Sequence, residues 1–453
     1  MNGLNIRMGI SGRSAGSSAG RWAAWSAVVV LVLAASGCGQ GGGSSGKPAA
    51  VKLVYMAPGF PLYDQVRIEQ GKRFEQAHPG IRTQFQAVAG QGYREKLLTQ
   101  FAGGSAPDVF FIRDFDLPQF AQKGAILPLD PLITNDPAFQ RDDIYPQLLD
   151  AYTFGETLYA LPGSSSTRVL YYNKRLFDEA GVAYPTAEWT WREFLDAAKR
   201  LTKRDERGIV AQYGASFYLD SADGWLIWIL QNGGSLFDAG KTRCIINSSE
   251  SREAIEFVKA LSQEHKVVPG LMDQLNQDNY QLFLSQRAAM FIGGRWYTLN
   301  FRTASALAWD VAPLPSGEHR ATPLDSHGWA ISAHTKHPQE AWELVKQLVG
   351  PDGVRFVIEV GDSMPTLRSI AQSPYFPVDE RYPQEQHNQV FLDAIEYAFS
   401  PKQIMHPQIE WYQMSSIINT EIDKFLIGQL SAERALQAVE DRLNVLIDEA
   451  GGA

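Results

Sequence analysis

Arg113, Asp114 and Asp116 stand together directly after the apolar run VFFI, where a strand would end and expose them. Two carboxylates facing each other across a sugar supply the acid and base of glycoside hydrolysis. Asp114 and Asp116 are neighbours on one loop, so an opposing acid would have to come from elsewhere in the chain. Two other readings stay open. Asp116 caps a helix while Asp114 is solvated, or both accept hydrogen bonds from sugar hydroxyls with no catalysis at all. The other chemical motifs fall away on inspection. GSLFDAGKT (234–242) places five residues between its glycines where a phosphate-cradling loop needs four, and reads as a turn. Gly37-Cys-Gly39-Gln-Gly41-Gly42 fits G-x-G-x-x-G in form but follows no strand and opens no helix. There is no H-E-x-x-H, C-x-x-C or G-x-S-x-G, and His334 with His337 reads as solvated loop. No catalytic residue, metal site or cofactor is expected.

Cys38 is the other reactive group that matters. It follows Trp22 to Ala35, fourteen mostly apolar residues preceded by Arg7, Arg13 and Arg21, and it precedes a Gly/Ser tract. The apolar run is shorter than the ~20 residues of a membrane-spanning helix. This is the layout of a bacterial export signal. Ala35-Ser36-Gly37-Cys38 resembles a lipobox, in which cleavage precedes the cysteine and the thiol is acylated; an ordinary signal with an incidental cysteine is the other reading. Residues 1–37 are then signal peptide and 38–50 a flexible tether. Loss of the signal removes three Arg and no acid, lowering 41 Lys+Arg to 38 against 50 Asp+Glu and the net charge from -9 to -12. An acidic surface with no Lys/Arg block argues against nucleic acid as a partner. With Cys38 acylated, Cys244 has no disulfide partner, so the exported domain depends on its core. Eleven Trp and 17 Tyr are more than such a core requires, and some are expected to form binding surface.

The elements that must position these groups alternate. Residues 51–56, 81–87 and 109–112 read as strands, with helices over 63–78 and 93–102 between them. That order implies a parallel sheet covered on both faces. Asp116-Leu-Pro reads as the N-cap of a short helix that Gly124 ends. A second series follows Leu161-Pro162: TRVLYYN (167–173) as one strand, a capping box Thr190-x-x-Glu193 opening a helix, strands at 213–216, 288–292, 309–314 and 328–332, and helices between and after them. From Tyr397 onward the pattern is helical.

Four segments taken in order, GGSAPDVFF (103–111), LYALPGSSSTRVLYYNKRLF (158–177), LFLSQRAAMFIGGRW (282–296) and WDVAPLP (309–315), resemble the extracellular solute-binding proteins of sugar-importing ABC transporters. That group includes maltose- and glycerol-phosphate-binding proteins. The resemblance implies an α/β, two-lobed, type II periplasmic-binding-protein-like fold with an interlobe cleft and a helical C-terminal part. It implies lobes of 51–161 with 324–362, and 163–316 with 363–453, with crossings near Leu161, Pro315 and Asp362. It also implies a non-enzymatic, monomeric receptor, exported and anchored only by its N-terminal lipid, that closes on a carbohydrate and passes it to the transmembrane permease subunits.

A pyranose stacks its C–H faces on aromatic rings and offers hydroxyls to acids, amides and Arg. On that basis the expected ligand contacts are Phe60 and Tyr63 after the first strand, Arg113, Asp114 and Asp116 after the third, and Ser164, Ser165 and Ser166 at the first crossing. Asp223, Trp225, Arg295 and Trp296 follow in the second lobe, then His327, Trp329, Asp362 and Trp411. Core packing is the competing role for Phe60, Trp225 and Trp329, turn formation for the serines, and interlobe ion pairing for Arg113 and Arg295. Trp296 follows Gly293-Gly294 and matches the family's tryptophan. The alternatives to a sugar receptor are a glycerol-3-phosphate or other sugar-phosphate receptor, and a secreted glycoside hydrolase.

Overall fold

The computed structural model describes residues 50–451, apart from Phe60, Tyr375, 378–380 and 383–384 and the side chains of Leu62, Gln91, Ala222 and Asp223. The expected signal, Cys38 and Phe60 therefore lie outside the described residues. The strands that matter, in chain order, are β1 (Val51–Gly59), β2 (Ile81–Ala89), β3 (Val109–Arg113), β4 (Ala160–Thr167), β5 (Val169–Asn173), β6 (Lys203–Arg204), β7 (Val210–Ser216), β8 (Ala288–Gly293), β9 (Trp309–Ala312), β10 (Thr322–Ile331) and β11 (Ala398–Phe399). They form two sheets. The first runs β11-β10-β3-β1-β2, with β4 also paired to β10; the second runs β9-β5-β8-β7-β6. Within them β1 is parallel to β2 and β3, and β7 is parallel to β8.

The residue choices explain these strands. VFFI of β3 and all six residues of β8 are buried, as expected of central strands covered on both faces, but each sheet is mixed rather than purely parallel: β3 runs antiparallel to β10 and β8 antiparallel to β5. The segment read as one strand over 167–173 is two. β4 ends at Thr167 in the first sheet, Arg168 turns the chain, and β5 begins at Val169 in the second. β10 is longer than the 328–332 expected, because its first half pairs antiparallel with β4: Leu324 with Thr167, Asp325 with Ser166 and His327 with Ser164. The β4/β10 pair is thus the strand connection between the sheets.

Helix ends follow local chemistry. Thr190 and Glu193 form the expected capping box at the start of Trp191–Leu201. Asp116 stands at the N-cap position of Leu117–Gln122, but its side chain makes no cap hydrogen bond; it turns to Arg94 instead. Two further helices, Trp411–Leu426 and Ala432–Gly451, finish the chain. The last buries Leu436, Val439, Leu443 and Ile447 along one stripe, roughly 1.5–3 kcal/mol of burial for each side chain. Cys244 is buried in the second hydrophobic core, and its thiol is pushed up to about 12, chiefly by desolvation. Among the described residues no helix is long and apolar enough to cross a membrane.

Candidate ligand cleft

The first helix, Pro61–Ala77, places Tyr63 and Arg67 one turn apart on the same face. Tyr63 Oη donates to Asp362 Oδ1 at 2.5 Å. Asp362 is aimed there by Gly361, whose φ of +89° ends the helix Pro351–Val360 in the left-handed region that favours glycine. Arg67 Nη1 donates to the Pro58 carbonyl at 2.6 Å, and its guanidinium lies 5.1 Å from the Phe111 ring and 6.0 Å from Trp329. Tyr63, Arg67, Phe111, Ser164, Trp329 and Asp362 line a cavity of about 30 Å³. That is room for about two waters. Gly163 permits the wall to close, since a Cβ there would lie 2.7 Å from the Trp329 ring. Burial raises the Asp362 carboxyl above the usual range, against the opposing pull of the Tyr63 hydrogen bond and Arg67.

A second group forms where β4 gives way to β5. The Arg168 guanidinium pairs with Asp325 on β10 and lies 4.4 Å from the Trp296 ring centroid. Trp296 is half-buried, and its ring folds back over Gly294, where a Cβ would lie 2.2 Å from it. The close approach permitted by glycine is therefore one by the tryptophan itself. Trp296 continues into Tyr297, 5.6 Å between rings, and Tyr297 stacks on Tyr218 at 6.5 Å. His327 pairs in register with Arg113 and stacks on Phe111 at 4.9 Å. Burial, reinforced by Arg113, Arg67 and Arg168, pushes its imidazole down to about 3.

The expected residues divide accordingly. The structure brings Tyr63, Ser164, Trp329 and Asp362 to one cavity, with His327 stacked on Phe111 of its wall, and sets Trp296 against Arg168. Arg113 is exposed at the end of β3. Other candidates are occupied by structure. Asp114 is buried, accepting the N–H groups of Phe115 at 2.9 Å and Ser326 at 3.0 Å, which ties β3 to β10. Burial and the nearby Asp325 hold its carboxyl well above the usual range. Asp116 accepts from Arg94 Nε at 2.9 Å. The Ser165 N–H donates to Ser363 Oγ at 2.8 Å, and Ser166 Oγ accepts from the Arg295 N–H at 2.8 Å.

Trp225 is not at the cleft. It is 1% exposed in the second core, with Nε1 donating to Asn419 Oδ1 at 3.0 Å. Arg295 is equally buried, donating to the Ser363 carbonyl at 3.1 Å and Asn388 Oδ1 at 2.8 Å beside Glu385. Its guanidinium ties the turn after β8 to the segment 363–388 rather than standing open to a ligand. Trp411 lies against Phe115, rings 4.9 Å apart and 18° from parallel. The side chain of Asp223 lies outside the described residues.

Sequence reasoning missed Arg67, Phe111, Arg168 and Asp325. The available signal was periodicity: Arg67 is four residues after Tyr63, and Phe111 precedes Arg113 on the same strand face. Chemically the assembly offers charged donors paired with acids beside flat aromatic faces. Asp114 and Asp116 are both engaged by donors and do not oppose each other across an open gap. Among the described residues no three His, Cys, Asp or Glu gather as metal ligands.

Comparisons with known proteins bear on the family and the fold. The family model for bacterial extracellular solute-binding proteins matches residues 62–355. The chain is 25% identical over 358 residues to the erythritol/L-threitol-binding protein of Mycolicibacterium smegmatis, covering 74% of this chain and 73% of that one. It is 27% identical over 335 residues to an uncharacterised lipoprotein of Streptomyces antibioticus, covering 72% of each. Among solved structures, an ABC substrate-binding protein from Listeria monocytogenes in complex with cycloalternan superposes with a TM-score of 0.79 at 29% identity, covering 88% of this chain and 99% of that one. The chain therefore belongs to the bacterial extracellular solute-binding protein family, and its two sheets and joining strands are the two lobes of the type II periplasmic-binding-protein fold.

Proposed function

We propose that the protein is the capture receptor of a bacterial ABC importer, binding a neutral sugar or oligosaccharide between its lobes and presenting it to the permease. The observation that carries this reading is the Tyr63, Arg67 and Asp362 set beside the rings of Phe111 and Trp329. It combines donors, an acceptor and apolar faces, which is what a polyhydroxylated ring needs. The charges are balanced in pairs, Arg67 facing Asp362 and Arg168 facing Asp325, which favours a ligand with no net charge over a phosphate ester. The Trp296, Tyr297 and Tyr218 run supplies aromatic surface for more than one sugar unit. The sugar and polyol ligands named for the M. smegmatis and L. monocytogenes proteins support the same class.

The cavity of about 30 Å³ is lined by the first sheet and its helices and is too small for a pyranose, so in this reading it marks the first-lobe wall of the site, and ligand is held when the second lobe closes over it. Cys38 carries the lipid that keeps the receptor at the membrane, as the lipoprotein relative suggests. The test is a thermal-shift screen with mono- and oligosaccharides, alditols and glycerol-3-phosphate, followed by calorimetry and product analysis. Stabilisation by a neutral carbohydrate without release of any product is expected. Stabilisation by glycerol-3-phosphate alone, or hydrolysis of the carbohydrate, would overturn the reading.

A further inference from the structure

Met272 and Leu275 are 61% and 70% exposed, more than any other large apolar side chain among the described residues. Scattered singly, such residues are ordinary on a protein surface. These two lie three positions apart on the helical turn Leu271–Gln274 and its C-cap Leu275, so they share one face. The turn is tied down from below. Gln274 Nε2 donates to the Phe217 and Pro269 carbonyls, both at 3.1 Å, and Gln274 Oε1 accepts the Leu219 N–H at 3.1 Å. Asp273 closes the turn by accepting the Gly270 N–H at 3.2 Å, and Leu271 packs against the second core. The apolar pair is therefore held out in water by a built support.

Its position in the lobe is fixed by the same contacts. Phe217 and Leu219 directly follow β7, and Tyr218 between them donates to Asp278 Oδ1 at 2.7 Å. β7 and β8 are parallel, and Trp296 follows the same end of β8. Met272 and Leu275 thus stand at the end of the second sheet that carries the Trp296, Tyr297 and Tyr218 run. The surrounding charge has one sign: residues 267–286 include Asp273 and Asp278 and no Lys or Arg.

We propose that Met272 and Leu275 form a docking knob for the transmembrane subunits of the importer, entering an apolar depression edged by cationic side chains. This inference rests on the receptor function proposed above. A ligand leaving the cleft passes this rim, so the partner that receives it covers the face on which the knob stands. The pair supplies apolar area to the centre of that contact, while Asp273 and Asp278 beside it favour a basic surface over an acidic one.

The experiment is photocrosslinking of the full chain in membranes of its own bacterium, with p-benzoylphenylalanine placed at position 275 and, as a control, at Ile209. Ile209 is 56% exposed but precedes β7, at the opposite end of the strand. An adduct between position 275 and a subunit with several membrane spans, absent from position 209, is expected. An adduct to a second copy of this chain, equal adducts from both positions, or none from 275 would overturn the knob. In parallel, Met272→Ser/Leu275→Ser should keep the melting temperature of wild type and its calorimetric affinity for the carbohydrate found in the thermal-shift screen, yet lower uptake of that carbohydrate about tenfold or more. Unchanged uptake would also overturn the knob. Absence of carbohydrate binding by wild type would refute the proposed ligand instead, and the crosslink would still report on the surface.

Discussion

Replacing His327 by Gln is expected to flatten the acid side of the stability profile. The imidazole stacks on Phe111 among Arg67, Arg113 and Arg168, and burial with those charges lowers its pKa from 6.5 to about 3. The folded protein therefore resists protonation that the unfolded chain accepts. Stability from this group is fully present above pH 6.5 and is lost as pH falls towards 3. At pH 5 the unfolded imidazole is almost wholly protonated and the folded one is not, which corresponds to roughly 2 kcal/mol lost relative to pH 7. For a chain of this size that is about 2 °C in melting temperature.

Wild type alone does not isolate the effect. Asp114, Asp116 and Asp362 all have raised carboxyl pKa values, so they hold protons more tightly when folded and act in the opposite sense, favouring the folded state as pH falls. The diagnostic quantity is the gap between wild type and His327→Gln, followed by thermal melts from pH 7 to pH 5. Wild type should lose about 2 °C more than the variant over that interval. A gap that stays constant would show that His327 is readily protonated in the folded protein, and would remove the picture of a neutral imidazole enclosed by three arginines.

Three other outcomes are expected. Trp296→Ala should weaken carbohydrate binding by roughly 1–3 kcal/mol while sparing the fold, because the ring is half-buried and covers Gly294 rather than filling a core; calorimetry with unchanged affinity and a collapsed melting temperature would assign it to packing instead. Glu385→Gln should cost about 3–5 kcal/mol in urea unfolding, since it leaves the buried Arg295 and Arg302 guanidinium groups without their shared carboxylate. A loss below about 1 kcal/mol would mean that the surrounding carbonyls suffice. Mass spectrometry of the native protein should find an acylated Cys38 at the mature N-terminus, and a free thiol there would argue for release from the membrane.

Local signals in the sequence were read reliably where both partners are near each other in the chain. Thr190 and Glu193 sit three residues apart, and their capping box is present; the helix 93–102 lies where apolar spacing put it. Long-range pairing was not legible. TRVLYYN reads as one β-rich run because nothing local distinguishes Thr167 from Val169. The break at Arg168 exists because β10, some 150 residues later, claims one half and β9 the other. The site shows the same limit. Trp225 and Trp329 are chemically alike, and only the tertiary fold sends one into the second core and leaves the other on a cavity wall. Arg295 lies beside Trp296 in sequence, yet a buried carboxylate, Glu385, draws it the other way. Arg67 was overlooked because a charged residue on a helix reads as solvent-facing until Phe111 and Trp329 are seen to flank it.

The concealment of Cys244 has a practical consequence for following lobe motion. A thiol buried in the second core, with its pKa pushed up to about 12, is almost entirely protonated at neutral pH and sheltered from maleimide reagents. A single cysteine introduced on an exposed surface beside the cleft would then be the selective site for a fluorophore in the protein lacking Cys38. Environment-sensitive emission from that probe would turn the receptor into a reporter of its own ligand, with the native thiol left in place.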